Sequence, residues 1–361
     1  LVGIAVRGAV DRAVGLDVNT IDDVIIGCAM PEGPQGMNIG RIACFAAGLP
    51  ISVPGMTVNR FCSSGLQSIA LGAQAISSGY SDVIVAGGVE SMSSVPMGGF
   101  NLMPDPGLMA KMPDAYASMG ITAETLVAQY GITRERQDEF AAASHDKALK
   151  AIADGIWASQ IVPVMVDSFD GKGPVAFDMD EGPRAGTTAQ GLSALKAAFM
   201  TGGSVTAGNS SQTSDGAAAV VLMSEEAMKK SGLKPMARFV SFMVAGCGPE
   251  VMGIGPALAI PKLFAKTGVS DKDIAFYELN EAFAAQSLAV CDILSKDNVI
   301  DPAKVNPNGG AIATGHPLGC TGAKLTVQAL YEMQRIKARY SVVSMCIGGG
   351  MGGAGLLENL S

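Results

Sequence analysis

A chain of 361 residues is longer than one small core requires, so two or more domains, or two similar halves, are expected. With 48% hydrophobic residues, 5% aromatics and 46 glycines, the core must be built from close-packed small aliphatic side chains and tight strand–helix turns, as in an α/β protein. The net charge of −8 argues against nucleic acid as the main partner, and no run of about 18 apolar residues without charge or glycine is present to span a membrane.

The opening LVGIAVRGAVDRAVGL reads as a helix, with no signal or transit pattern in it. VPGMTVNRF (53–61) predicts a short strand, after which Leu66, Ile69, Ala70, Ala73 and Ile76 follow helical spacing up to a stop at Gly79. DVIVAGG (82–88) predicts a buried strand ending in glycines. Regular alternation weakens over about 93–204, which holds helical stretches around 122–130 and 134–154 and a loop-like DSFDGKGPVAFDMDEGPRAG, and reads as an insertion. SVTAGNSSQTSDGAAAVVLMS (204–224) returns to the strand-and-helix style, and a new unit starts near Lys234–Pro235. There the first plan recurs: KVNPNGG (304–310) has the same Val-Asn pair, a helix carries Leu325, Ala329, Met333 and Ile336, and YSVVSMCIGGG (340–350) ends in glycines. The chain therefore divides into an N-terminal half, 1–234, with an inserted loop domain about 93–204, and a C-terminal half, 235–361.

Seven cysteines, odd in number and with no C-x-x-C, stand beside only two histidines, so no zinc spacing is present and a reducing compartment is the natural reading. Cys62, in VNRFCSSGLQ, sits where strand gives way to helix. A helix start lowers a thiol's pKa and offers free N–H groups to an oxyanion, although a small buried side chain is the commoner fate of cysteine. His145 lies in the amphipathic DEFAAASHDKALKAI, where Asp146 and Lys147 suggest a solvated face and a structural role. His316 is different: in NPNGGAIATGHPLGCTGA, Pro317 holds it extended, Gly315 and Gly319 permit close approach, and a base or oxyanion donor is expected. Cys346 ends a buried strand before consecutive glycines that can form an anion nest. Gly348, Gly350 and Gly353 match G-x-G-x-x-G, but the chain ends at Ser361 with no room for the helix and acidic residue of a dinucleotide site. Asn280, in YELNEAFAAQS, is read either as a helix cap or as a group that holds water or substrate.

Together, Cys62 in NRFCSSGLQ, Asn280 in NEAFAAQ, His316 in NPNGGAIATGHPLGCTGA and Cys346 in CIGGGMG resemble the thiolase family over nearly the whole chain. The resemblance implies a five-layered αβαβα thiolase fold of two similar halves plus a loop domain, in homodimers or homotetramers. The family's first strand and its following loop would lie before Leu1. It further implies Cys62 as acylated nucleophile, His316 as its base, and an enolate site made by His316 with a water on Asn280. Cys346 would be the second acid/base, and the N–H groups of Cys62 and Gly348 the other oxyanion hole. Coenzyme A would be a substrate, with no permanent cofactor and no metal, contacted by Ser211 and Arg184 and by a pocket of Met119, Met252 and Phe283. Ser118 before Met119–Gly120, AGNSSQTSDG and ELNEAF resemble degradative 3-ketoacyl-CoA thiolases more than biosynthetic acetoacetyl-CoA thiolases. A ketoacyl-carrier-protein synthase would want a second catalytic histidine, a 3-hydroxy-3-methylglutaryl-CoA synthase a glutamate base, and a non-catalytic CoA-binding relative a lost catalytic residue. A degradative thiolase can pair with a hydratase–dehydrogenase subunit. The compartment would be the cytoplasm in a bacterium, and a peroxisome or mitochondrion in a eukaryote, although ENLS is not a peroxisomal C-terminal signal.

Overall fold

The computed structural model describes residues 1–168, 171 and 173–360. Helix α1 (Val2–Arg12) is followed by strand β1 (Asp23–Gly27), helix α2 (Ile39–Ala46), strand β2 (Met56–Val58), helix α3 (Ser64–Ser77) and strand β3 (Val83–Ser91). Next come α4 (Pro106–Lys111), α5 (Met119–Tyr130), α6 (Arg134–Ala153), β4 (Val164–Asp167), β5 (Pro174–Phe177) and α7 (Ala189–Ser193). Strand β6 (Asp215–Met223) and α8 (Glu225–Ser231) lead to β7 (Ala237–Gly246), α9 (Gly255–Thr267), β8 (Ile274–Leu279) and α10 (Ala284–Lys296). The chain finishes with α11 (Ala311–Thr314), α12 (Leu318–Ile336), β9 (Tyr340–Ile347) and β10 (Met351–Asn359).

Two four-stranded sheets result, in the orders β2-β1-β3-β6 and β7-β10-β9-β8. In the first, β1 runs parallel to β2 and β3, and β6 is antiparallel to β3. In the second, β8 and β9 are parallel, and β10 is antiparallel to both β9 and β7. Parallel neighbours need crossovers, and helices covering both faces turn the strands into near-continuous apolar runs. Alternation within those runs assigns the faces. Val24, Ile26, Val83 and Val85 pack under α1 and α2, while Ile25, Ile84 and Ala86 meet Ile69 of α3 and Ala323 of α12. On their far side α3 and α12 pack Leu66, Leu325, Ala329 and Met333 against Phe276, Val343, Met345 and Leu357 of the second sheet. Ile260 and Leu263 of α9 and Val290 and Leu294 of α10 cover that sheet's other face. The stacking is αβαβα, the fold that the resemblance implied.

The free edge of β6 borders a cavity of about 920 Å³, lined also by α1, the start of β7 and α12. In the second sheet the matching side of β10 is covered by β7. The stretch read as loop-like contains a hairpin instead, Val164 pairing with Phe177 and Asp167 with Pro174; Phe169, Asp170 and Lys172 of that stretch lie outside the described residues, as does Ser361 of ENLS. KVNPNGG makes only an isolated bridge, Val305 to Tyr277, rather than a strand. No helix among the described residues is long and apolar enough to cross a membrane.

Candidate active site

Cys62 follows β2 by four residues and lies in a 3₁₀ turn, Phe61–Ser63, that leads into α3. The turn is strained: Phe61 holds φ +43°, a left-handed conformation that bulky residues avoid. Local bonds hold it there. Asn59 Oδ1 accepts the Phe61 N–H at 2.8 Å while its Nδ2 donates to Ala29 O at 2.9 Å. Ser64 Oγ accepts from Arg60 N at 2.9 Å and donates to Phe61 O at 2.7 Å. Cys62 is thereby folded inward, with 7% of its surface exposed.

The start of α12 lies against the start of α3, and glycines set the distance. A Cβ on Gly65 would stand 2.6 Å from Ala323 N, and one on Gly319 2.7 Å from Cys28 Cα and from Val89 O. One on Gly322 would overlap Leu66 N. His316 precedes α12 and is buried. Its ring is clamped between Thr321 Oγ1, 2.6 Å from Nδ1, and Asn280 Nδ2, 3.3 Å from Nε2. Lys324 Nζ donates to Thr314 Oγ1 at 2.7 Å and to Gly315 O at 3.3 Å, tying down the turn ahead of the ring. Burial, with the Lys324 charge beside it, pushes the His316 pKa down to about 3, so the imidazole rests neutral.

Asn280 follows β8 directly, and α10 begins only at Ala284 with Phe283 at its cap position. Asn280 is therefore not a helix cap. Its backbone N–H donates to Ser344 O at 2.9 Å, and its buried Oδ1 has no protein partner. Cys346 lies on β9, two residues from a three-glycine hairpin turn in which Gly349 and Gly350 have φ +79° and +84°. Those angles require glycine. The turn joins two antiparallel strands, which removes the dinucleotide reading of the glycine pattern. The backbone N–H groups of Gly348 and of Cys62 itself act on the Cys62 sulfur and favour its thiolate, but burial outweighs them and lifts the pKa to about 11. The helix-start lowering expected from sequence is thus overcome by desolvation. Burial, and then the nearby Cys62 charge, raise Cys346 well above the usual thiol range. At rest both thiols and the imidazole are neutral.

Residues 1–226 match the thiolase N-terminal domain family and residues 233–359 the thiolase C-terminal domain family. The chain belongs to the thiolase family. The chain is 52% identical to a 3-ketoacyl-CoA thiolase of Bacillus subtilis over 98% of its length and 91% of the relative's. It is 47% identical to an acetyl-CoA acetyltransferase of Pseudomonas aeruginosa, over 97% of this chain and 91% of that protein. The solved acetyl-CoA acetyltransferase of Bacillus anthracis superposes with a TM-score of 0.88 at 44% identity, covering 99% of this chain and 91% of that one. This thiolase is an enzyme of the acyltransferase class.

Of the residues assigned to coenzyme A by resemblance, Met252, Phe283 and Met119 share one apolar cluster with Cys346, Ala282 and Val205. Ser211 is half-buried beside them, its N–H donating to Ala282 O at 3.0 Å. Arg184 is exposed, and its backbone N–H donates to Nδ1 of His145 at 3.1 Å. His145 is buried, not on a solvated face: α6 turns it toward the 182–184 segment while its neighbours Asp146 and Lys147 face away. Among the described residues no group of His, Cys, Asp and Glu is arranged to hold a metal ion.

Sequence reasoning missed the carboxylates that brace this thiolase site. Glu90, buried at the end of β3, accepts from Ala29 N and Gly319 N at 2.8 Å each, from Met30 N at 3.1 Å and from Gln35 Nε2. It thereby ties the first turn of α12 to the loop after β1. Glu281 accepts from Ser144 Oγ at 2.6 Å, Asn306 Nδ2 at 2.8 Å and Ile312 N at 3.2 Å, and so fixes the backbone that carries Asn280. The only sequence signal for either was an acid at the end of an apolar strand.

Proposed function

We propose that the protein is a degradative 3-ketoacyl-CoA thiolase, cleaving 3-ketoacyl-CoA with coenzyme A to acetyl-CoA and a shortened acyl-CoA. The observation that carries the reading is the pair Cys62 and Cys346, close enough that a charge on Cys62 raises Cys346, with the Gly348 N–H on the Cys62 sulfur. His316 supplies a neutral base and Asn280 an unpartnered polar oxygen. In this reading His316 takes the Cys62 proton, and the sulfur attacks the 3-keto carbon. The oxyanion is held by the N–H groups of Cys62 and Gly348. The C2–C3 bond then breaks, leaving an acyl-Cys62 thioester and the enolate of acetyl-CoA. Protonated His316 and a water on Asn280 stabilise the enolate oxygen, and the Cys346 thiol protonates C2. Incoming coenzyme A gives its thiol proton to the Cys346 thiolate and attacks the acyl-Cys62 carbonyl. Cys62 leaves as thiolate and regains its proton from His316. Protons and electrons balance over the cycle with no metal or redox partner.

The substrate class rests on the similarity to the Bacillus subtilis enzyme and on the apolar cluster of Met119, Met252 and Phe283 beside Cys346. The second reading, a biosynthetic acetyl-CoA acetyltransferase, is favoured by the relatives that carry that name. Initial rates with acetoacetyl-CoA and 3-ketohexadecanoyl-CoA, each with coenzyme A, separate the two. Faster cleavage of the long substrate is expected; equal or faster turnover of acetoacetyl-CoA would favour the second reading. No turnover of either would remove both, leaving a non-catalytic CoA-binding protein. Mass spectrometry should find an acyl adduct on Cys62 and none in Cys62→Ser; an adduct elsewhere would refute the nucleophile assignment. We keep Ser211 and Arg184 as contacts for coenzyme A in this reading. A homodimer or homotetramer belongs to the same proposal, and its motivation is the exposed apolar Met37, Ile42, Phe45 and Met56 around the edge strand β2. Light scattering that gives only the monomer mass would dismiss it.

A further inference from the structure

The hydrogen on a neutral imidazole goes where its neighbours allow. Around His316 the partners are Thr321 Oγ1 at Nδ1 and Asn280 Nδ2 at Nε2. The Thr321 hydroxyl owns one hydrogen, and it has a second neighbour, Pro317 O, at 2.9 Å one helical turn back in α12. A carbonyl oxygen only accepts, so the hydroxyl donates to Pro317. Its lone pairs remain for Nδ1, which must therefore carry the ring hydrogen. Nε2 is then bare and accepts from the Asn280 amide. The opposite tautomer would require both a broken Thr321–Pro317 bond and a rotated Asn280 amide. Rotating Asn280 breaks no other bond, because its Oδ1 has no protein partner, so the preference rests on Thr321: without its bond to Pro317, two buried oxygens would stand 2.9 Å apart with no hydrogen between them.

We propose that Thr321 is a positioning residue that locks His316 in the Nδ1–H form, making Nε2 the basic nitrogen of the site. The assignment of the tautomer stands on hydrogen-bond geometry alone; its catalytic consequence rests on the thiolase reading above. With Nε2 bare, the same nitrogen takes the Cys62 proton and afterwards presents it, as Nε2–H, to the enolate oxygen. The resting imidazole is neutral at working pH, so the tautomer is well defined there. The second histidine provides an internal contrast. His145 Nδ1 accepts the Arg184 N–H at 3.1 Å, so its hydrogen sits on Nε2. The two histidines of this chain are opposite tautomers.

The experiment uses the full chain labelled with ¹⁵N-histidine and a long-range ¹H–¹⁵N correlation at neutral pH. With two histidines the spectrum holds few ring signals, and His145→Gln assigns them. One Nδ1–H and one Nε2–H ring are expected, the former from His316. In Thr321→Val, of nearly equal shape but without an acceptor, the His316 signals should move to the Nε2–H form or a mixture. Its kcat for thiolysis should fall by about 10²-fold or more with KM unchanged, as expected of a base held in the wrong tautomer. Thr321→Ser should restore both signals and rate. An Nε2–H His316 in the unaltered protein would overturn the proposal, as would Thr321→Val with an unmoved tautomer or full kcat. Because the spectrum of the unaltered protein decides the tautomer, the test survives a variant that fails to fold. An inactive protein with the expected tautomers would sink the thiolase reading and leave this assignment intact.

Discussion

Replacing Gly65 by alanine sets two effects of opposite sign against each other. Gly65 lies in the first turn of α3, three residues after Cys62. On helix propensity alone, alanine would stabilise by roughly 0.5–1 kcal/mol. The built Cβ, however, stands 2.6 Å from Ala323 N, 2.9 Å from Gly319 O and 3.0 Å from Ala323 Cβ. These atoms belong to the backbone or sit directly on it, so no rotamer change relieves them. Ordinary contact begins at 3.4 Å, and the two helices must separate locally by about 0.8 Å. Overpacking of this kind costs about 1–3 kcal/mol, so crowding outweighs propensity. The separation also moves the helix start bearing Cys62 away from the one bearing His316. A misplacement near 1 Å costs on the order of 10²-fold in rate. Thermal unfolding of Gly65→Ala should therefore show a lowered Tm, and kcat for thiolysis should drop by roughly 10²-fold. An unchanged or raised Tm with kcat within about twofold would refute the claim that backbone contact between α3 and α12 sets the geometry.

Two further outcomes follow from buried groups. Glu278, on β8, has its pKa raised to about 8 by burial and by the charges of Glu332 and Glu281. The folded protein thus holds a proton that the unfolded chain releases near pH 4.5, and the group's contribution is fully present below that pH and lost as pH rises through about 8. Glu278→Gln should raise Tm above the unaltered protein at pH 8 and lose that advantage toward pH 4.5; a gap independent of pH would show that the carboxyl is ionised throughout. Asn59→Ala removes two of the four bonds that hold the Phe61 turn, leaving those of Ser64, at a cost of about 1–2 kcal/mol in unfolding free energy. Thiolysis should slow because Cys62 is released from its turn, and an unaltered Tm and kcat would show that the strained turn holds itself.

The parts of this architecture that were legible in sequence are those written in local periodicity or in rare residue types. The strand at 83–91 and the helices at 64–77 and 318–336 follow alternation and helical spacing, and Gly79, with φ +73°, ends its helix as expected. Cys62, His316 and Cys346 stood out because each adjoins a turn rich in glycine or serine. The misplaced features depended on partners distant in the chain. His145 was expected to face solvent because of its neighbours in sequence, but the 182–184 segment folds over it. The direction of the Cys62 pKa shift depended on how deeply the turn is buried, which no local pattern encodes. Glu90 and Glu281 were invisible as braces because the N–H groups they accept come from elsewhere, 229 residues away for Gly319.

The duplication explains why the site is lopsided although the scaffold is not. Cys62 lies two residues before the first residue of α3, and His316 two before that of α12. The last residue of β1, Gly27, pairs with Gly88, and the last of β8, Leu279, pairs with Ser344. Counting on by one places Cys28 opposite Asn280 in the plan, and counting on by two from the partners places Glu90 opposite Cys346. Equivalent positions therefore hold a cysteine and a histidine, a thiol and an amide, a carboxylate brace and a second thiol. In the first half Glu90 accepts from three backbone N–H groups, that of Gly319 at the start of α12 among them, from the Gln35 amide and from the Cys28 thiol, and is consumed as a clamp. In the second half the same position is the smaller Cys346, which makes no such clamp and whose thiol burial keeps protonated. One copy of the plan holds the other's helix in place, while in the second half the equivalent positions carry no such clamp: Asn280 keeps an unpartnered oxygen and Cys346 a buried thiol.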